Sequence, residues 1–173
     1  MKNPYYYKGA NPTVDLIIVN PENKILLIKR SEKAAACPSM WAIPGGFIDT
    51  EAKQGEVWKE GLESPEHAAI REVQEETNLT LNNPELIFVG CFEGNGRDPR
   101  DNSESWSKSH AFIHVIDPNV YESQKDKLIG LDDAEDVDWK TVAEIKQLKL
   151  AFDHADIIDC ALNKLNKKNK LKP

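Results

Sequence analysis

Residues 71–76 read Arg-Glu-Val-Gln-Glu-Glu, and this stretch decides how the chain is interpreted. Read as a helix, it places Glu72 above both Glu75 and Glu76, because residues three and four apart share a helix face. Like charges at that spacing repel one another, so their concentration predicts a bound cation. Carboxylate oxygens favour a hard divalent ion, with Mg²⁺ as the first expectation and Mn²⁺ as the alternative.

Local signals predict that this helix begins near Ser64 and ends near Asn78. The Ser64 hydroxyl can accept a hydrogen bond from an unpaired backbone N–H, and Pro65 suits the first helical position. Asn78 tolerates the left-handed conformation in which helices commonly end. A weak apolar stripe on the helix is expected to pack on a sheet while the carboxylates point elsewhere. Its members are Ala69, Ile70, Val73 and Thr77.

Upstream, Gly46 and Glu63 complete a longer pattern with residues 71–76. Seven residues separate Glu63 from the start of that stretch, and Leu79 follows it as an aliphatic residue. The pattern resembles the box of the Nudix hydrolases, which runs Gly, five residues, Glu, seven residues, then Arg-Glu-aliphatic-any-Glu-Glu-any-Gly-aliphatic. Two departures occur: Asn78 replaces the last glycine, and sixteen residues rather than five separate Gly46 from Glu63.

The longer spacing indicates an insertion at about residues 50–62. Loops tolerate added length at low cost, because closure entropy grows only logarithmically. The insertion precedes the helix, so we expect the metal-binding half of the box to survive it. Glu51 is a competing candidate for the first box glutamate, but its distance from Arg71 is wrong, which favours Glu63.

The order of apolar and polar segments predicts a mixed α/β or α+β fold. A turn-forming stretch separates two strands in a predicted hairpin, and further strands and helices follow the acidic helix. The strands are expected at 14–19, 24–29, 85–92, 110–116 and 136–139, and the later helices near 142–148 and 153–165. The resemblance implies more, namely a Nudix-type α/β/α sandwich with a mixed β-sheet and a loop-helix-loop metal site.

Length and composition predict a single domain over residues 1–173, with a core at about 13–165 and a solvated Lys-rich tail at 166–173. No apolar run is long enough for a membrane span and no secretion signal is present, so a cytoplasmic location is expected. Three widely spaced cysteines predict reduced, partly buried thiols rather than a disulfide framework or a zinc site. They are Cys37, Cys91 and Cys160.

The formal net charge of −7 disfavours nonspecific binding to nucleic acid. A phosphate-rich substrate therefore needs a metal ion and a few placed arginines. The expected partner is a small-molecule nucleotide, with neither nucleic acid nor membrane, and the family resemblance adds a homodimer.

The resemblance implies roles for the box residues. Glu72, Glu75 and Glu76 are the expected side-chain metal ligands, and the Gly45 carbonyl completes the site. Arg71 is expected to position a neighbouring carboxylate, with Glu63 as its partner. The general base lies on a loop outside the box, and two acidic loops compete for it. The favoured loop holds Asp133, Glu135 and Asp136, and the other candidates are Glu93 and Glu104.

Three arginines are the best candidates for phosphate or ribose contacts, because guanidinium groups match phosphate geometry. Arg30 ends a strand, while Arg97 and Arg100 flank Asp98 in a polar loop that could instead be a simple exposed turn. Gly46 and Phe47 are also expected at the substrate. Phe47 has two open interpretations, since its ring could belong to the core or could stack on adenine.

Residues 150–158, Leu-Ala-Phe-Asp-His-Ala-Asp-Ile-Ile, narrow the resemblance to bacterial ADP-ribose pyrophosphatases. Similar segments occur in a Nudix-like family of transcriptional regulators of NAD metabolism. Those regulators carry a C-terminal winged helix that this chain is too short to contain, which favours an enzyme. Within the segment, His154 is interpreted more readily as a helix-start contact than as a catalytic base.

The resulting hypothesis is a Mg²⁺-dependent pyrophosphohydrolase of nucleoside diphosphate derivatives, with ADP-ribose cut to AMP and ribose 5-phosphate. The main alternative is a module that senses ADP-ribose without turnover. Nucleoside triphosphate house-cleaning and hydrolysis of RNA 5′ ends are runners-up, and the acidic charge disfavours the latter.

Overall fold

The computed structural model describes residue 5, residues 7–94 and residues 96–170. Within these residues the chain forms six strands and four α-helices. The strands are β1 (Gly9–Val19), β2 (Ile25–Arg30), β3 (Trp41–Ala42), β4 (Ile87–Glu93), β5 (Ser105–Val115) and β6 (Ala134–Lys140). The helices are α1 (Pro65–Thr77), α2 (Pro118–Gln124), α3 (Val142–Ile145) and α4 (His154–Lys170).

The strands form one mixed sheet. β1 runs parallel to β5 along its whole length, and β4 pairs antiparallel with the other edge of β5. β2 pairs antiparallel with β3 and β6 and meets β1 only where Val19 faces Ile25. The predicted hairpin is therefore present, but its two strands diverge directly after the turn.

The gap left by this divergence admits the glycine-containing segment to the central strand. The Val14 N–H donates to the Gly46 carbonyl at 2.9 Å, and the Leu16 N–H donates to the Pro44 carbonyl at 3.0 Å. Residues 44–46 are thus bonded to β1 through their backbone. This pairing places the two glycines beside the face of α1 that carries the glutamate side chains.

Helices cover both faces of the sheet, because alternate residues of β1 point to opposite sides. Leu16 and Ile18 pack with Val73 of α1, whereas Ile17 packs with Ile157 of α4. The two apolar clusters are buried from solvent. The predicted mixed sheet with helices on its faces is confirmed.

The predicted limits of α1 are also confirmed. The Ser64 hydroxyl accepts a hydrogen bond from the His67 N–H at 3.2 Å, and Pro65 is the first helical residue. Asn78 ends the helix in the left-handed region, with φ of 60°. Because asparagine tolerates this conformation, the loss of the box glycine leaves the end of the helix intact.

The insertion at 50–62 folds back on itself beside the sheet. The Thr50 hydroxyl donates to the Lys59 carbonyl at 2.6 Å and accepts from the Lys59 N–H at 3.2 Å. The indole of Trp58 donates to the Ile48 carbonyl at 3.3 Å. These bonds close the loop upstream of Ser64, which explains why the added length leaves the helix start unchanged.

Several expectations need correction. β1 begins at Gly9 rather than near 14, because the buried amide of Asn11 donates to the carbonyls of Tyr7 and Gly9 and stabilises a polar strand start. The short helix α2, capped by the Asp117 carboxylate, was not predicted.

The Lys-rich tail predicted at 166–173 is partly wrong. Residues 166–170 are the last turns of α4, and 171–173 lie outside the described residues. A salt bridge from Lys168 Nζ to Glu85 Oε1 at 2.6 Å attaches this end of the helix to the segment before β4. Two of the three thiols, Cys91 and Cys160, are exposed rather than partly buried. Within the described residues, every helix is too short or too polar to cross a membrane.

Candidate active site

A cleft of about 330 Å³ opens at one end of the sheet. We define it by the structural parts that meet there, namely the glycine segment, α1, the acidic loop before β6, the loop after β4 and the start of α4. Its lining includes Asp15, Arg30, Gly45, Gly46, Phe47, Arg71, Glu72, Glu76, Arg97, Asp98, Arg100, Asp132, Asp133, Phe152 and His154. Most of the predicted site residues are therefore brought together here.

Both glycines are required by close approach. A Cβ on Gly45 would overlap the carbonyl oxygen of Val14, and a Cβ on Gly46 would lie 2.5 Å from Cδ of Glu72. The Gly45 N–H donates to Oε2 of Glu76 at 2.9 Å. The absence of side chains thus lets two carboxylates of α1 reach the backbone of the glycine segment.

The carboxylates of α1 have different surroundings. Glu72 is 9% exposed and Glu76 is 3% exposed, whereas Glu75 faces solvent. Burial raises the pKa of Glu72 to about 7 and raises the pKa of Glu76 well above its ordinary value. Ala69 and Val73 pack in the apolar core while Glu72 and Glu76 line the cleft, so the expectation that packing and chemistry use separate faces of the helix is confirmed.

Arg71 holds three of the box carboxylates. Its Nε and Nη2 donate to the two oxygens of Glu63, each at 2.9 Å. Its Nη1 donates to Glu72 at 2.8 Å and to Glu75 at 2.9 Å. Since one nitrogen contacts both of these glutamates, their carboxylates are kept close together, and Glu63 orients the guanidinium that does so.

The described residues contain no group of three His, Cys, Asp or Glu side chains already arranged around a metal position. The chemistry of the donors nevertheless fits a hard divalent ion. Glu72 and Glu76 supply oxygen atoms, and burial of these carboxylates is the main cause of their raised pKa values. A divalent cation beside them would favour their ionised forms.

The opposite wall of the cleft is a buried polar cluster. Asp15 Oδ1 lies 3.2 Å from His154 Nε2, and Asp15 Oδ2 accepts a hydrogen bond from the Ser109 hydroxyl. Burial opposes ionisation of Asp15, but His154, the nearby Arg97 charge and the Ser109 hydrogen bond hold its pKa below the ordinary value. His154 therefore contacts the sheet through Asp15, and both sequence interpretations of its role miss this partner.

The arginines of the polar loop are already paired. Arg97 is 8% exposed in its side chain and forms two hydrogen bonds with Asp153, at 3.0 and 2.8 Å. Arg100 contacts Asp98 in the same forked manner, and its guanidinium lies 5.2 Å from the centre of the Tyr5 ring. This loop is thus a packed wall of the cleft rather than a simple exposed turn.

Arg30 differs from the other two arginines. Its Nε donates to the Ala36 carbonyl at 3.1 Å, and it forms no salt bridge with any carboxylate among the described residues. Its guanidinium lies 5.2 Å from the centre of the Phe152 ring. Phe152 has φ of 52°, which is uncommon for an aromatic residue. Phe152 was not predicted as a site residue, because phenylalanine is not a residue type that indicates a positive φ.

The acidic loop contributes Asp132 and Asp133 to the cleft. The loop is attached to the end of α1 by the Leu131 N–H, which donates to the Glu76 carbonyl at 3.0 Å. Glu135 and Asp136 lie on β6 outside the cleft lining, with Glu135 4.0 Å from Lys29. The other two candidates, Glu93 and Glu104, also lie outside the lining. Sequence analysis missed Asp132, although its position next to Asp133 was the available signal.

Comparison with known proteins places this geometry in a family. A family model described as NUDIX domain matches residues 9–160. An "ADPR responsive transcriptional repressor NtrR" from Acinetobacter baylyi is 31% identical over 167 residues, which cover 95% of this chain and 58% of the relative. An "ADP-ribose pyrophosphatase" from Methanocaldococcus jannaschii is 32% identical over 141 residues, which cover 82% of this chain and 67% of the relative.

A solved structure gives the same result for the fold. The NUDIX domain of Shewanella oneidensis NrtR, crystallised with ADP ribose, superposes with a TM-score of 0.68 at 26% sequence identity. The match covers 94% of this chain and 92% of that chain. The chain spans between 25% and 67% of the length of the curated relatives it matches.

Proposed function

The chain belongs to the Nudix family, and from that membership we propose that it is a Mg²⁺- or Mn²⁺-dependent hydrolase of nucleoside diphosphate derivatives. The proposed substrate is ADP-ribose, cut at its diphosphate to AMP and ribose 5-phosphate. The similarity to an ADP-ribose pyrophosphatase supports this choice.

The observation that carries the proposal is the contact between the buried Glu76 carboxylate and the Gly45 backbone, with Glu72 beside them. A domain that only packs a helix against a loop gains nothing from burying two carboxylates there. In the proposed enzyme, Glu72, Glu75, Glu76 and the Gly45 carbonyl hold the metal. When bound, the metal neutralises charge on the diphosphate and activates water.

Arg71 and Glu63 act as positioning residues in this proposal. Their paired hydrogen bonds keep the Glu72 and Glu75 carboxylates oriented toward one another. Arg71 also donates to the Phe47 carbonyl at 3.0 Å, which attaches the helix to the residue after the glycines. Outer contacts of this kind commonly set both metal affinity and rate.

Asp133 is the proposed proton acceptor for the attacking water, with Asp132 as the second choice. Both line the cleft on the side facing Glu72 and Glu76. The Asp133 carbonyl accepts a hydrogen bond from the Ser31 N–H at 2.9 Å, so the backbone at this residue is held in place. In this proposal the Asp133 carboxylate takes the proton of a water held between the acidic loop and α1.

Arg30 is the proposed contact for the substrate phosphates. Arg30 forms no salt bridge with a described carboxylate, although its charge favours the ionised form of Glu76, whereas Arg97 and Arg100 already bind Asp153 and Asp98. A guanidinium that keeps free N–H groups can form forked bonds with phosphate. Phe47, 36% exposed at the cleft, offers a ring face for the base.

The test is product analysis with Mg²⁺ across ADP-ribose, other dinucleotides and nucleoside triphosphates, with Glu76→Gln as the matched control. AMP from ADP-ribose, lost in the variant, supports the proposal. Preferential cleavage of a nucleoside triphosphate would replace it with the house-cleaning activity.

A second candidate is a module that binds ADP-ribose without cutting it. The similarity to the NtrR repressor and to the ADP-ribose-bound NrtR domain favours it. Binding of ADP-ribose with no product from any substrate would establish this alternative. The single-domain organisation, the homodimer and the cytoplasmic location stay predictions.

A further inference from the structure

Directly after the short strand β3, a backbone N–H donates to a histidine side chain. The backbone of Ala151 donates to the Trp41 carbonyl at 2.8 Å, so the chain before α4 runs beside β3. Directly after β3, the Ile43 N–H donates to Nδ1 of His154 at 2.9 Å. A side chain thus supplies the acceptor that a neighbouring strand would otherwise supply.

This bond defines the protonation of His154. Since Ile43 donates, Nδ1 must carry a lone pair, and the ring proton is on Nε2. Nε2 lies 3.2 Å from Asp15 Oδ1, where an N–H can donate. The imidazole is 4% exposed, and both of its nitrogens are occupied. His154 is therefore unsuited to act as a catalytic base.

The bonded segment leads directly into the candidate metal site. Pro44 and Gly46 accept hydrogen bonds from the β1 residues on either side of Asp15. Gly45, between them, donates to Glu76. The position of the glycine segment depends on these backbone bonds, on its bond to Glu76 and on the His154 bond at its start.

We propose that His154 is a positioning residue for the metal site. Asp15 orients the imidazole, the imidazole holds Ile43, and Ile43 sets the path of the chain into Gly45 and hence its contact with Glu76. The consequence for turnover rests on the proposed function, but the consequence for metal binding and for the glycine segment does not. Loss of the hydrogen bond between His154 and Ile43 lets the glycine segment shift away from the carboxylates of α1 that it contacts.

Two substitutions separate the two hydrogen bonds of the ring. In His154→Asn the amide oxygen is attached to Cγ, as Nδ1 is, so it can still accept from Ile43. In His154→Gln the amide lies one carbon further out, so it can reach Asp15 but not Ile43. Both variants lose one buried hydrogen bond, and both are expected to unfold at a lower temperature.

The readout is Mn²⁺ binding without nucleotide, followed by electron paramagnetic resonance. We expect His154→Gln to weaken binding by roughly 10- to 100-fold and His154→Asn to retain most of it. Amide hydrogen exchange of Gly45 in the metal-free protein is expected to accelerate in His154→Gln only. Equal Mn²⁺ affinity and equal Gly45 exchange in the two variants would reduce His154 to a packing role and overturn the proposal.

The native chain supplies a test that needs no variant. Nitrogen-15 spectra near neutral pH should show His154 Nδ1 without a proton and Nε2 with one, whereas a proton on Nδ1 would rule the mechanism out. If the native chain cuts no nucleotide but Mn²⁺ binding still depends on the His154 substitution as described, the positioning role stands and only the proposed function fails.

Discussion

Gly45 and Glu76 are joined by a 2.9 Å hydrogen bond across 31 residues of sequence, from a backbone N–H to a carboxylate. The bond couples the glycine segment to α1, and both residues line the cleft. It also explains why the carboxylate tolerates burial, since a backbone donor partly replaces water.

The first prediction concerns the charge of Glu76. Glu76→Gln keeps an oxygen that can accept from Gly45 but removes the negative charge. We expect hydrolysis to fall by roughly 10²- to 10³-fold, because charge stabilisation at the diphosphate is lost. The metal-free variant should be at least as thermostable as the native chain, since the buried charge is costly. Residual activity equal to the native rate would contradict a metal-ligand role for Glu76.

The second prediction concerns the space occupied by Gly46. Gly46→Ala places a Cβ 2.5 Å from Cδ of Glu72, so the carboxylate must move away. Because the Glu72 carboxylate is displaced, Mn²⁺ affinity, measured by titration, is expected to fall. Gly90→Ala is the matched control, because there the nearest atom to the added Cβ lies at an ordinary 3.6 Å. Equal affinity in both variants would show that Glu72 is not needed at its present position.

The third prediction contrasts two arginines. Arg30→Ala should raise KM for ADP-ribose with little change in unfolding temperature, because Arg30 has no described carboxylate partner. Arg97→Ala should destabilise the fold by about 1 to 3 kcal/mol, since Asp153 loses two hydrogen bonds and the buried Asp15 loses a nearby positive charge. Kinetics and chemical denaturation on both variants check this. If Arg97→Ala raised KM and Arg30→Ala lowered stability, Arg97 would be the substrate contact and Arg30 the structural residue.

The fourth prediction is the pH dependence of stability without metal. Glu72 has a pKa of about 7 against an ordinary 4.5, and the pKa of Glu76 is also raised. The folded state then binds more protons than the unfolded state between about pH 5 and pH 7, so stability falls as pH rises through that window. The lowered pKa of Asp15 acts in the opposite sense, and its contribution is lost as pH falls below the ordinary range.

Thermal unfolding in a chelating buffer measures this dependence. In Glu72→Gln the unfolding temperature should fall less between about pH 5 and pH 7 than in the native chain. Saturating Mg²⁺ should raise the unfolding temperature of the native chain more at about pH 8 than at about pH 5. A Mg²⁺ effect independent of pH would show that these carboxylates do not bind the ion.

The fifth prediction concerns the acidic loop. Asp133→Asn should lower kcat by roughly 10²- to 10⁴-fold, because the attacking water loses its proton acceptor. Glu135→Gln is the control, because Glu135 lies on β6 outside the cleft. If Asp132→Asn has the larger effect on kcat, the base is Asp132. Unchanged kcat in both aspartate variants would place the base elsewhere.

Features that depend on neighbouring residues were predictable from sequence. The limits of α1 follow from Ser64, Pro65 and Asn78, whose effects act within one helical turn. The closeness of Glu72 and Glu75 follows from helix geometry alone. The partnership of Arg71 with Glu63 was also expected, and the structure contains it.

Features that depend on distant chain segments were decided only by the tertiary structure. Arg97 and Arg30 are the same residue type, yet one is paired with a carboxylate 56 residues away and the other is not. His154 contacts Asp15 because α4 begins beside β1, which no local pattern encodes. Sequence thus determined the family, the helix and the cluster of carboxylates, since these arise from short-range geometry. Strand register and element packing decided burial, pairing and which acidic residues reach the cleft.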